Sequence, residues 1–76
     1  MFEEIKALLI EKANIDADKI TPTANLKHEL GIDSLSSVEL TLDLEEHYGI
    51  QIEWEEMQNV VTVSDVVELI EKKVGR

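Results

Sequence analysis

Ser34 follows Asp33 in the run Leu30-Gly31-Ile32-Asp33-Ser34-Leu35, a stretch that reads as the opening of a helix. Asp33 is a good N-cap, able to accept from the free backbone N–H groups of the first turn. Those same N–H groups, with the helix dipole, favour a phosphate attached at Ser34. A serine after an Asp cap is also ordinary helix-start chemistry, so the site alone leaves both readings open. As a nucleophile, Ser34 would need a base, and the only histidines are His28 and His47. His47 stands well over three turns further along the helix, and His28 sits in a loop without a third partner to orient it. Neither makes a triad. Asp16 and Asp18 begin like a calcium loop, but the Gly and terminal Glu that such a loop requires are missing. The chain has no cysteine, hence no disulfide, no thiol chemistry of its own and no His/Cys cluster for zinc.

The elements that must position Ser34 follow from hydrophobic spacing. Phe2, Ile5, Leu8 and Leu9 recur at helical intervals and predict a first helix over about 3–14. From Ile15 to Ile32 no period is sustained, and Pro22 with Thr21, Thr23, Asn25 and Gly31 predicts a long loop. Ile15, Ile20, Leu26 and Leu30 are its expected anchors. A second helix runs from the Asp33 cap to Tyr48, with Gly49 placed to stop it. Residues 55–59 predict one further short turn. Thr62-Val63-Ser64-Asp65 resembles a capping box and opens a last helix over about 63–73, burying Val63, Val66, Val67 and Ile70. Lys72, Lys73 and Arg76 complement its C-terminal dipole. The expected fold is all-α, with a long loop between the first two helices and a short third helix, in one domain spanning residues 1–76.

The second helix carries two apolar stripes where a surface helix needs one. At about 100° per residue, Leu40, Leu44 and Tyr48 share one side, and Leu35, Val38 and Leu42 lie roughly opposite. Glu39, Asp43 and Glu46 flank the second stripe on one side and Glu45 on the other. An apolar strip rimmed with acid fits a docking surface for a basic partner. The competing reading buries both stripes, with the long loop covering one.

Composition narrows the class. Hydrophobic residues make up 43% of 76 positions, as in a folded domain, and 17 acidic against 7 basic residues give a net charge of −10. Such a surface repels nucleic acid and anionic lipid and attracts basic proteins. No apolar run reaches membrane-spanning length. The N-terminal Met-Phe-Glu-Glu-Ile-Lys lacks the basic and apolar regions of a signal peptide, so the expected location is the cytoplasm.

With Leu30-Gly31-Ile32-Asp33-Ser34-Leu35 followed by Ser37-Val38-Glu39-Leu40, the chain resembles the phosphopantetheine attachment motif of acyl carrier proteins. The resemblance extends through Leu44-Glu45-Glu46 to Thr62-Val63 and covers nearly the whole chain. It implies a four-helix bundle, a 4'-phosphopantetheine arm transferred from coenzyme A onto Ser34 by a holo-synthase (a phosphopantetheinyl transferase), and acyl groups carried on that arm as thioesters. It implies that Asp33 helps position the divalent cation during arm transfer. Leu35, Val38, Glu39, Leu42, Glu45 and Glu46 fall on the family's partner-recognition helix, which docks acyl-transfer and fatty-acid or polyketide synthesis enzymes through basic patches. The carrier is expected to be a monomer and a substrate of enzymes, without catalytic residues or a metal site of its own.

Two departures stand out. Ser36 occupies a position that is often acidic in fatty-acid carriers, and Glu53-Trp54 replaces a frequent Pro-Asp, removing an expected cap from the short third helix. They keep open a specialised carrier for polyketide, aminoacyl or lipid-modifying pathways. The alternatives are an aminoacyl or peptidyl carrier, and an acidic helical interaction domain without an arm.

Overall fold

The computed structural model describes residues 1–75; Arg76, expected beside the last carbonyls, lies outside the described residues. Four α-helices and one 3₁₀ turn make up the fold: α1 (Phe2–Ala13), the 3₁₀ turn (Ala17–Lys19), α2 (Ser34–Tyr48), α3 (Trp54–Gln58) and α4 (Val63–Lys73). α1 packs against α2 and α4. Their shared interior holds Ile5, Leu9, Leu44, Val63, Val66 and Ile70, all but sealed from solvent. Burying one such side chain is worth about 1.5–3 kcal/mol. Val67, expected in the core, is only half-buried, because it lies off the stripe formed by Val63, Val66 and Ile70.

Termination is local chemistry. Asn14 ends α1 and Gly49 ends α2, both in the left-handed conformation, and the Gly49 N–H returns to the Glu45 carbonyl. Asn tolerates that conformation through its short polar side chain, and Gly adopts it without a Cβ penalty.

The long loop is tied down rather than loose. Ile15, Ile20, Ala24, Leu26, Leu30 and Ile32 are all buried. Backbone bonds then stitch the loop to the entrance of α4: Leu26 N–H to Val61 carbonyl at 2.9 Å, Val63 N–H to Ala24 carbonyl at 3.1 Å, and Ser64 N–H to Pro22 carbonyl at 2.8 Å. A single antiparallel bridge between Asn25 and Thr62 marks the same seam. Aperiodic sequence gave no sign of this pairing, which depends on two segments far apart in the chain, nor of the 3₁₀ turn.

α3 begins one residue earlier than its composition suggested. Its missing Asp cap is replaced in part by Glu56, whose carboxylate accepts from the Glu53 N–H at 2.9 Å. Glu56 also pairs with Lys73 of α4 at 2.6 Å, joining the short helix to the last one. The Thr62–Asp65 capping box forms as the sequence indicates: the Thr62 hydroxyl accepts from Asp65 N–H, and Asp65 accepts from Thr62 N–H and Val61 N–H.

Candidate functional site

Gly31 turns the chain into α2 with φ 68°, a conformation that a side chain would strain. The turn sends Ile32 into the core and leaves Asp33 extended at the head of the helix. The Ile32 N–H donates to the Leu26 carbonyl at 2.9 Å, which fixes that approach. The Asp33 carboxylate accepts from the Ser36 N–H at 2.9 Å. Hydrogen bonds from the Ser36 backbone and side chain hold its carboxyl below the usual range, so it stays ionised while solvent-facing.

Ser34 is therefore the first residue of a rigidly capped helix, exposed, and among the described residues its hydroxyl has no hydrogen-bond partner. It stands on the wall of an open groove of about 540 Å³ between α2, α3 and the 25–28 turn. Leu26, Ile32, Val38, Leu40, Met57 and Trp54 give that groove its apolar lining. Trp54 is 68% exposed, so its indole forms part of the groove and of the outer surface together. The groove needs the fold of three separated segments and has no local signal in the sequence.

His28 reaches the same groove as Ser34. It is exposed, and among the described residues it has neither a hydrogen bond to Ser34 nor a carboxylate within ion-pair distance to orient it. His47 instead stacks edge-on against Tyr48, with ring centroids 4.7 Å apart. No serine–histidine–carboxylate relay is assembled among these residues. Among the described residues there is also no cluster of three or more His, Cys, Asp or Glu able to hold a metal ion.

The two stripes of α2 separate. Leu40 and Leu44 are buried and Tyr48 half-buried, whereas Leu35, Val38 and Leu42 are 70%, 49% and 58% exposed. The reading in which the loop covers the second stripe is thereby excluded: the loop packs elsewhere. Glu39 and Glu46 stand exposed beside this strip. Glu45 differs from them, because it is half-buried and its carboxylate accepts from the Ile52 N–H at 2.8 Å. That bond joins α2 to the segment leading into α3, and no sequence pattern indicated it.

An exposed serine, an ionised Asp cap and an apolar groove beginning at the serine suit a phosphate-linked arm that ends in an apolar cargo. The hydroxyl is free to carry the phosphate, the helix start favours its charge, and the groove offers the far end an apolar wall. Known proteins agree with this geometry. The family model described as "Phosphopantetheine attachment site" matches residues 3–70. Acyl carrier proteins from two strains of Helicobacter pylori are 45% and 44% identical over 71 residues, in each case 93% of this chain and 91% of the relative. The crystal structure of an acyl carrier protein from Thermotoga maritima superposes with a TM-score of 0.83 at 25% identity, covering 95% of this chain and 84% of that one. The chain belongs to the acyl carrier protein family, whose members are carriers rather than enzymes and hold their cargo on a covalent 4'-phosphopantetheine.

Proposed function

We propose that Ser34 is the attachment point of the arm and that the chain passes acyl intermediates between enzymes of fatty-acid or related polyketide or lipid biosynthesis. The observation that carries this reading is the exposed, unpartnered Ser34 hydroxyl on the wall of the apolar groove. When bound, the arm supplies the thiol that the chain lacks and with it the capacity to form thioesters. Loading joins the Ser34 oxygen to a phosphorus of coenzyme A's diphosphate; the nucleotide half leaves and the serine proton passes to the transferase. Asp33, ionised and next to Ser34, is placed to help position the divalent cation of that step.

The docking partners are the holo-synthase and synthesis enzymes with basic patches. Leu35, Val38 and Leu42 supply the apolar contact, and Glu39 and Glu46 supply steering charge. Glu45 contributes charge from a fixed position, since its carboxylate is already bonded to Ile52. A net charge of −10 favours a monomer by self-repulsion and disfavours nucleic acid. No helix among the described residues is long and apolar enough to cross a membrane, which fits the proposed cytoplasmic location.

Intact mass tests the reading. After incubation with coenzyme A and a holo-synthase the parent chain should gain one arm, and folded Ser34→Ala should gain none. Labelling that persists in Ser34→Ala, or none in the parent, overturns it; the second result would favour an acidic interaction domain. A specialised cargo has one supporting feature of its own, the indole of Trp54 at the groove mouth.

A further inference from the structure

The groove that Ser34 lines also carries a positive charge, in a molecule that is otherwise strongly negative. Of the seven basic residues, Lys6 and Lys12 lie on α1, Lys19 in the 3₁₀ turn, Lys72 and Lys73 on α4, and Arg76 beyond it. Among the described residues Lys27 is the one of these that lines the groove, next to His28 and in the same cavity as Ser34. Among the described residues neither Lys27 nor His28 has a carboxylate within ion-pair distance, although the chain holds 17 acidic residues.

Both residues project from a fixed backbone. The Asn25 side-chain oxygen accepts from the Lys27 N–H at 3.0 Å and from the His28 N–H at 2.9 Å. Asn25 is itself held by Glu29, whose carboxylate accepts from the Asn25 N–H at 2.8 Å and is thus directed to the backbone. Leu26, between Asn25 and Lys27, is bonded to Val61 on one side and to Ile32 on the other. Only two side chains need to be ordered for a ligand to be held there.

We propose that Lys27 and His28 hold the phosphodiester on Ser34, so that the root of the arm lies against the groove rather than out over α2. The proposal rests on the reading that Ser34 carries the arm. A phosphodiester is anionic, and the directions open to it from Ser34 differ in charge. Asp33 lies beside its root, and Glu39 stands exposed about one and a half turns further along α2. Toward the 25–28 turn, in the groove that Ser34 itself lines, lie the Lys27 ammonium and the His28 imidazole, which offers a ring N–H donor in either protonation state. The repulsion and the attraction act in the same sense. Because the site is solvent-facing, the preference is modest, a few-fold in population as for other exposed ion pairs. A few-fold preference is sufficient to bias where the first bonds of the arm point, and hence whether the cargo starts along the apolar wall or in water.

The experiment begins with intact mass, which shows whether Ser34 is loaded, and continues with a spin label on the arm thiol of the holo-protein. Paramagnetic broadening of backbone amides is compared between the 25–28 turn and the 39–46 face of α2. The phosphorus resonance line width reports independently on how tightly the phosphodiester is held. In the parent, broadening should favour the 25–28 turn. In Lys27→Gln/His28→Gln that bias should fall a few-fold and the phosphorus line should narrow, while Lys27→Arg should retain both. Both side chains are exposed, so the variants keep the fold, and circular dichroism confirms it before comparison. Equal broadening patterns and line widths in loaded parent and loaded Lys27→Gln/His28→Gln overturn the proposal and leave the attachment reading intact. Failure of the parent to load at Ser34 overturns both.

Discussion

The Glu45 carboxylate accepts a hydrogen bond from the Ile52 backbone N–H at 2.8 Å, linking the middle of α2 to the segment that enters α3. Ile52 is buried, so its N–H has limited access to water if the carboxylate is removed. One acidic residue of α2 therefore ties the helix to the segment entering α3, while its neighbours Glu39 and Glu46 face solvent.

Substitutions at these positions should separate the two roles. Glu45→Ala should cost about 1–2 kcal/mol in urea unfolding, the range for losing a hydrogen bond to a half-buried polar group. Glu39→Lys should leave the unfolding midpoint nearly unchanged, and it should slow association with a holo-synthase and reduce the salt dependence of that rate. If Glu45→Ala unfolds like the parent, the Ile52 bond contributes nothing and Glu45 belongs with the other steering charges.

The two faces of α2 should respond oppositely to truncation. Leu44→Ala removes a fully buried side chain and should cost about 2–5 kcal/mol. Leu42→Ala removes one that is 58% exposed and should cost well under that, while speeding partner dissociation and so weakening binding. Paired denaturation and binding measurements on both variants check this. A core-sized loss of stability in Leu42→Ala would place the second stripe inside the fold.

Much of the molecule was legible because its signals are local. The Asp33 cap, the Gly49 stop and the Thr62–Asp65 box each depend on residues within one or two turns, and each formed where the sequence put it. The loop anchors Ile15, Ile20, Leu26 and Leu30 were readable as apolar residues with nowhere else to go. What escaped the sequence was non-local: the seam between residues 22–26 and 61–64, the tie from Glu45 to Ile52, and the groove that brings Trp54 and His28 to Ser34. A helical wheel puts Glu45 and Glu46 on opposite flanks of the exposed strip, but only the path of the following segment brings the Ile52 N–H to one of them.

Tyr48 should titrate late. Partial burial, then its hydrogen bond to Glu4 at 3.0 Å and the charge of that carboxylate, push the phenol up to about 12 from an ordinary 10.0. The folded chain keeps this proton longer than the unfolded one, so the contribution is fully present below pH 10.0 and is lost as pH rises toward 12. Since Tyr48 is the chain's single tyrosine, phenolate absorbance reads it directly. Glu4→Gln should move the midpoint down toward the ordinary value; an unchanged midpoint would leave burial as the only cause.

Acid should weaken the cap of α4. Hydrogen bonds from Val61 N–H, then Thr62 N–H, hold the Asp65 carboxyl below its ordinary 3.8, outweighing the opposing effect of slight burial. The unfolded chain, lacking those donors, takes up the proton first as pH falls. Asp65 therefore contributes its full stability above 3.8 and loses it progressively as pH drops through the lower folded value. Asp33 and Glu56, also held below their ordinary values by hydrogen bonds, lose stability in the same direction, while relief of repulsion in a chain of net charge −10 opposes it, so the parent's melting curve alone does not isolate this effect. Asp65→Asn does, because it keeps the size and one acceptor of the side chain but cannot ionise. Near neutral pH the parent should melt above the variant. The gap should close as pH falls below 3.8, since both chains then present a neutral side chain to the same two N–H groups. A gap that stays constant through that range would mean that shape, rather than charge, holds the start of α4 against the loop.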